Sequence, residues 1–101
     1  MIPGYITFME SKSTSAMFLD SEIRLIKKYC NDNDGIVRFN FIGDSQVANM
    51  QFGPSLYDRV ELIRRPDCYR LRMKSNDIDT KPVSEDFKSF KEALKFLEEE
   101  S

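Results

Sequence analysis

The chain has 101 residues, 15 basic against 17 acidic side chains, 41% apolar residues, two cysteines, no histidine and no tryptophan. That is the length of one domain, and it is too apolar and too weakly charged overall to stay disordered. The missing histidine removes the commonest base near neutral pH, the Ser-His and Cys-His nucleophile pairs, and most zinc sites.

No apolar run approaches the roughly 18 residues of a membrane span. The chain starts Met1-Ile2-Pro3-Gly4-Tyr5, with no basic segment before an apolar one, so these residues are not expected to act as a signal peptide. Two cysteines make no disulfide framework, so Cys30 and Cys68 are expected as reduced thiols in a cytosolic compartment.

Residues 4–10 read as a strand with apolar groups on both faces, and 11–15 as a polar turn. Residues 19–31 read as a helix. Asp20 or Ser21 is placed to cap it, with Glu22 in the first turn. Leu19, Ile23, Ile26 and Cys30 form its apolar line, with Leu25 and Tyr29 beside it. The run Asn31-Asp32-Asn33-Asp34-Gly35 stops the helix, with Gly35 expected at positive φ.

Residues 36–42 alternate as a strand, with Val37, Phe39 and Phe41 on one face. Gly43-Asp44-Ser45 is a turn, 46–52 a weaker strand, and Gly53-Pro54-Ser55 a break. Residues 59–65 and 69–74 form a hairpin around Pro66-Asp67. Residues 75–82 are a polar loop. Ser84 is then expected to cap a helix over 85–99, with Phe87, Phe90, Leu94 and Leu97 as its core stripe.

The expected order is β-α-β-β-β-β-α: one α+β domain over 1–101. It is a two-layer sandwich of a mainly antiparallel sheet of four to five strands and two helices. One sheet face should carry the helices and the other should face water.

The charge is unevenly spread. Residues 59–74 hold five of the seven arginines and six basic against two acidic side chains, leaving nine against fifteen elsewhere. In the hairpin register, Arg64–Tyr69, Leu62–Leu71 and Val60–Met73 share the buried face. Ile63–Arg70, Glu61–Arg72 and Arg59–Lys74 share the other. Guanidinium groups bind carboxylates and phosphates bidentately, so this face suits an anionic partner. The same residues also suit an ordinary solvated face with Glu61–Arg72 as a cross-strand pair.

Other patterns carry less. Pro66-Asp67 before Lys74 lacks the second carboxylate of a magnesium nuclease, because Arg72 stands there. Asp32-x-Asp34-Gly35 puts Cys30 and Phe41 where a calcium loop needs oxygen ligands. Asp77-x-Asp79 reads as a solvated turn. Cys30 reads as a core thiol, and Cys68 as a thiol whose pKa Arg65 and Arg70 would lower. Phe96, off the stripe of the last helix, reads either as rim of the core or as an exposed anchor.

Together these features lead to an expected non-enzymatic protein-binding module of adaptor, inhibitor or immunity type. Arg59, Arg65, Arg70, Arg72, Lys74 and Phe96 would be its partner-binding residues. The alternative is an RNA- or DNA-binding regulator that uses the same arginines on phosphates, with Tyr57 near enough to stack bases and Tyr69, also near the hairpin, assigned inward. No catalytic residue, metal, cofactor or membrane contact is expected, and the chain is expected as a monomer or homodimer.

Overall fold

The computed structural model describes residues 16–100. The strand expected over 4–10 and the turn over 11–15 lie outside the described residues. Helix α1 spans Asp20–Asp32 and is followed by β1 Gly35–Ile42, β2 Ser45–Phe52, β3 Arg59–Arg64, β4 Tyr69–Lys74, β5 Val83–Phe87 and helix α2 Phe90–Glu100. The five strands form one sheet in the order β1-β2-β3-β4-β5, each antiparallel to its neighbour. The class is α+β, as expected.

α1 starts at Leu19, which has extended backbone angles of −72° and 157°. The carboxylate of Glu22 reaches back and accepts the Leu19 N–H at 2.9 Å. The cap is thus Leu19 served by Glu22, not Asp20 or Ser21, because a carboxylate three residues on can satisfy that orphan donor. Ile26, Tyr29 and Cys30 of α1 are buried, and Ile23 packs against the core beside them. At the far end Asn33 donates its side-chain amide to the Tyr29 carbonyl at 2.8 Å and its backbone N–H to Cys30 at 3.2 Å. The positive φ falls on Asp34 (57°), not on Gly35. Gly35 already opens β1, where its missing side chain makes room for the Phe52 ring.

Ile42 pairs with Ser45, so Gly43 and Asp44 alone make the turn. Gly43 has φ 63°, the conformation a two-residue hairpin turn asks of its first central residue. The β3–β4 register agrees with the expected one at every pair, from Arg59↔Lys74 to Arg64↔Tyr69. The Arg65 N–H to Cys68 carbonyl bond of 2.9 Å closes that turn.

The end of the chain differs from the expected helix over 85–99. Val83–Phe87 is a fifth strand along β4, and Ser84 lies in it. α2 starts later, where Ser89 Oγ accepts the Glu92 N–H at 3.2 Å. The acidic pair Glu85-Asp86 resembles a first helical turn, but Asp86 stands opposite Arg70 and Phe87 opposite Tyr69. These cross-strand partners override the local helix signal.

Both helices pack on one sheet face. Its core comprises Ala48, Met50, Val60, Leu62, Leu71 and Met73 under Phe18, Ile26, Phe90 and Leu97. Tyr57 and Tyr69 belong to this core. Two polar side chains are buried at its rim. Gln46 accepts the Phe18 N–H at 2.8 Å, while its own backbone N–H reaches the Ala16 carbonyl at 2.9 Å. Glu22 accepts the Tyr69 hydroxyl at 2.7 Å. The opposite face is mostly polar, but the cross-strand partners Val47 and Ile63 are only 0% and 6% exposed on it.

Candidate functional site

The outer face is built from alternate residues of β1 to β5, and the pairing sets them in rows across the sheet. One row runs Ile36, Gln51, Arg59, Lys74, and the next Arg38, Asn49, Glu61, Arg72, Ser84. Strands lie about 4.8 Å apart, so Arg38 and Arg72 stand roughly 14 Å from each other. Two shallow depressions meet at Asn49 and Gln51. One is lined also by Ile36, Arg38 and Asn40, the other by Arg59, Glu61, Arg72 and Lys74. Asn49 donates its amide to Asn40 at 3.0 Å, which fixes both amides on this surface.

The charges here are only loosely paired. Arg72 lies 3.7 Å from Glu61 and Arg59 lies 3.9 Å from Asp58, with all four side chains at least partly exposed. Such contacts contribute little in water, so Arg59 and Arg72 keep most of their capacity for an incoming anion. Lys74 and Arg38 are exposed.

Of the other expected binding residues, Arg70 shares this outer face but is engaged by a partner, while Arg65 and Phe96 lie off it. Arg70 is held by Asp86 in a fork of 2.8 and 3.1 Å. That guanidinium holds the Asp86 carboxyl below its ordinary range. Arg65 sits in the hairpin turn, half-buried. Arg64 lies on the inner side, its guanidinium 4.6 Å from the centre of the Tyr69 ring and donating to the Arg65 and Cys68 carbonyls. Phe96 is half-buried against Phe87 at 5.2 Å between ring centres. Since Phe87 shares its row with Tyr69, Phe96 lies on the helix side of the sheet, away from Arg59, Arg72 and Lys74.

The thiols are both quiet. Burial pushes Cys30 up to about 11. Cys68 is also raised, by desolvation first and then by Asp86 and Asp67, which outweigh Arg65. The lowering by Arg65 is therefore outweighed, first by desolvation and then by Asp86 on β5 and Asp67 in the turn. Asp77 is an ordinary turn residue: its carboxylate accepts the Asp79 N–H at 3.0 Å and the Thr80 hydroxyl at 3.1 Å. Among the described residues no three Cys, Asp or Glu side chains gather where a metal ion would sit. Nor is any described helix long and apolar enough to cross a membrane.

Arg38, Asn40, Asn49 and Gln51 were missing from the sequence-derived set. The period-2 alternation of β1 and β2 marks them as outward-facing. What joins them to the arginines is the β2–β3 register, set by a loop over 53–58 with no tight-turn signature. That loop is closed by the Phe52 N–H to Asp58 carbonyl bond of 2.9 Å.

Comparison with known protein families, curated proteins and solved structures found no match.

Proposed function

We propose that this chain is a non-enzymatic binding module of adaptor or inhibitor type that docks on an acidic surface of another protein. The carrying observation is the meeting of Arg38, Arg59, Arg72 and Lys74 with the amides of Asn49 and Gln51 on one open sheet face. Arginine forks and amides fit surface carboxylates, and a concentrated basic patch on a chain of net charge −2 steers association with an acidic partner.

A protein partner is favoured over nucleic acid by the aromatic side chains. Sequence-tolerant nucleic-acid binding uses exposed rings as stacking platforms. Tyr57 and Tyr69 are instead in the core, and the outward-facing positions of the five strands carry no aromatic residue.

The test is affinity capture from the native source with and without nuclease, comparing wild type with Arg59→Gln/Arg72→Gln/Lys74→Gln. A nuclease-resistant protein partner lost by the triple variant is the expected result. Capture that disappears on nuclease treatment replaces this reading with the nucleic-acid one, for which neutralising three phosphates gives a log–log salt slope near roughly −3. Partners held equally by both chains overturn the role of this face.

A further inference from the structure

The two edges of the sheet are built differently. β5, at one edge, is five residues long, follows Pro82 and carries Glu85 and Asp86. Short length, proline and charge are the usual means of keeping an edge from pairing with another chain. β1, at the other edge, is eight residues of Gly-Ile-Val-Arg-Phe-Asn-Phe-Ile with one charge and no proline. Ile36, Phe41 and Ile42 are 58%, 53% and 62% exposed along it. Among the described residues no strand pairs with this edge, and an edge with large apolar side chains at both ends is a template for strand addition.

The β1 sequence is complementary to itself in one antiparallel register. With Phe39 opposite Phe39 of a second copy, Ile36 meets Ile42, Val37 meets Phe41 and Arg38 meets Asn40, each pair appearing twice. Every exposed apolar residue of the edge then gains an apolar partner, and the one cation faces an amide. Shifting by two residues either sets Arg38 against Arg38, at a like-charge cost, or leaves Ile36 beyond the paired stretch. The backbone agrees. The two-residue turn at Gly43-Asp44 closes on a hydrogen-bonded pair, Ile42 and Ser45. Alternation along the ladder then points the N–H and C=O groups of Val37, Phe39 and Phe41 away from β2, toward the free edge.

We infer that the protein forms a two-fold symmetric dimer through β1, joining two five-stranded sheets into one continuous sheet with Phe39 on the axis. A two-fold contact of this kind uses up the edge on both copies and closes. The protected β5 edges at the two outer ends stop further growth.

Ile36→Lys/Ile42→Lys and Ile36→Lys/Ile42→Glu test both the dimer and its register, since both residues are exposed and lie outside the core. In the proposed register the first variant sets lysine against lysine twice, and the second sets lysine against glutamate twice. Sedimentation equilibrium of the wild type is expected to show a dimer at about 200 µM, as suits an interface at the small end of the stable range. The double-lysine variant is expected to weaken dimerisation at least tenfold, and the lysine–glutamate variant to restore most of it. Hydrogen exchange adds an independent reading: the Val37, Phe39 and Phe41 amides should gain protection as concentration rises. A wild type that stays monomeric at that concentration overturns the inference. So does a dimer indifferent to both variants, or one that both variants break equally. Circular dichroism of each variant confirms that the fold is intact.

Discussion

Tyr69 of β4 donates its phenolic hydrogen to Glu22 in the first turn of α1 at 2.7 Å. The other Glu22 oxygen accepts the Leu19 N–H at 2.9 Å. One buried carboxylate thus starts the helix and fastens it to the sheet. Replacing Glu22 by Ala leaves a buried hydroxyl and a helix N-terminus unserved, and is expected to cost about 2–3 kcal/mol. Tyr69→Phe removes one bond and leaves Glu22 its backbone contact, at about 1–2 kcal/mol. Urea unfolding of the two variants should rank them in that order. Equal losses would show that the Leu19 contact contributes nothing.

Alkaline pH should loosen the same region. Burial, then the hydrogen bond to Glu22, pushes the Tyr69 hydroxyl up to about 12, above its unfolded value near 10. A group whose pKa is higher in the folded chain adds stability that is complete below the unfolded value and lost as pH rises through the folded one. The Tyr69 contribution should therefore drain away between about pH 10 and 12, by at most about 3 kcal/mol. Cys30, raised to about 11 by burial, acts in the same direction from about pH 9. Denaturation midpoints across this range should fall less steeply in Tyr69→Phe than in wild type.

The thiols predict their own labelling pattern. Cys30 is buried and Cys68 is half-buried in the hairpin turn, so an alkylating reagent should modify Cys68 first. Both pKa values lie above the ordinary thiol value, so Cys68 should react more slowly near pH 8 than a free peptide thiol. Asp67→Asn removes one of the carboxylates that raise it and should speed the reaction. Mass-resolved alkylation time courses would read both effects.

Gly35 and Phe52 give a packing test. A methyl group built on Gly35 overlaps the Phe52 ring and stands 3.0 Å from the Gln51 carbonyl. That ring lies edge-on to Tyr29 at 5.6 Å, so moving it disturbs the contact between α1 and β2. Gly35→Ala is expected to cost about 1–3 kcal/mol as overpacking. A thermal midpoint equal to wild type would mean that Phe52 swings aside freely.

Two serines separate the expected from the observed C-terminal region. Ser89→Ala removes the acceptor for the Glu92 N–H and should cost about 1 kcal/mol. Ser84→Ala, on an exposed strand position, should stay within about 0.5 kcal/mol of wild type. The reverse order would return Ser84 to a helix cap.

These residues also mark how far local sequence carries. The β3–β4 pairing was legible because Pro66-Asp67 pins the turn and Val60, Leu62, Leu71 and Met73 permit one buried face. The Val83–Phe87 strand was not, because Ser84, Glu85 and Asp86 match a helix start locally and only the distant partners on β4, Arg70 opposite Asp86 and Tyr69 opposite Phe87, make them a strand. The same distance effect divided the candidate surface. Arg59, Arg72 and Lys74 could be grouped from one hairpin. Arg38 joins them only once three strand pairings are known, and the engagement of Arg70 on the same face shows only once Asp86 is placed.

Every strand in this sheet lies beside its neighbour in sequence, so none of the four pairings waits on the closure of a long loop. Such sheets assemble one hairpin at a time and without a large entropic delay. The Glu22–Tyr69 bond is of another kind, spanning 47 residues. Seating the start of α1 on β4 is therefore expected to come late in folding and to be lost early in opening. Amides of β3 and β4 should outlast those of the first α1 turn in native-state hydrogen exchange.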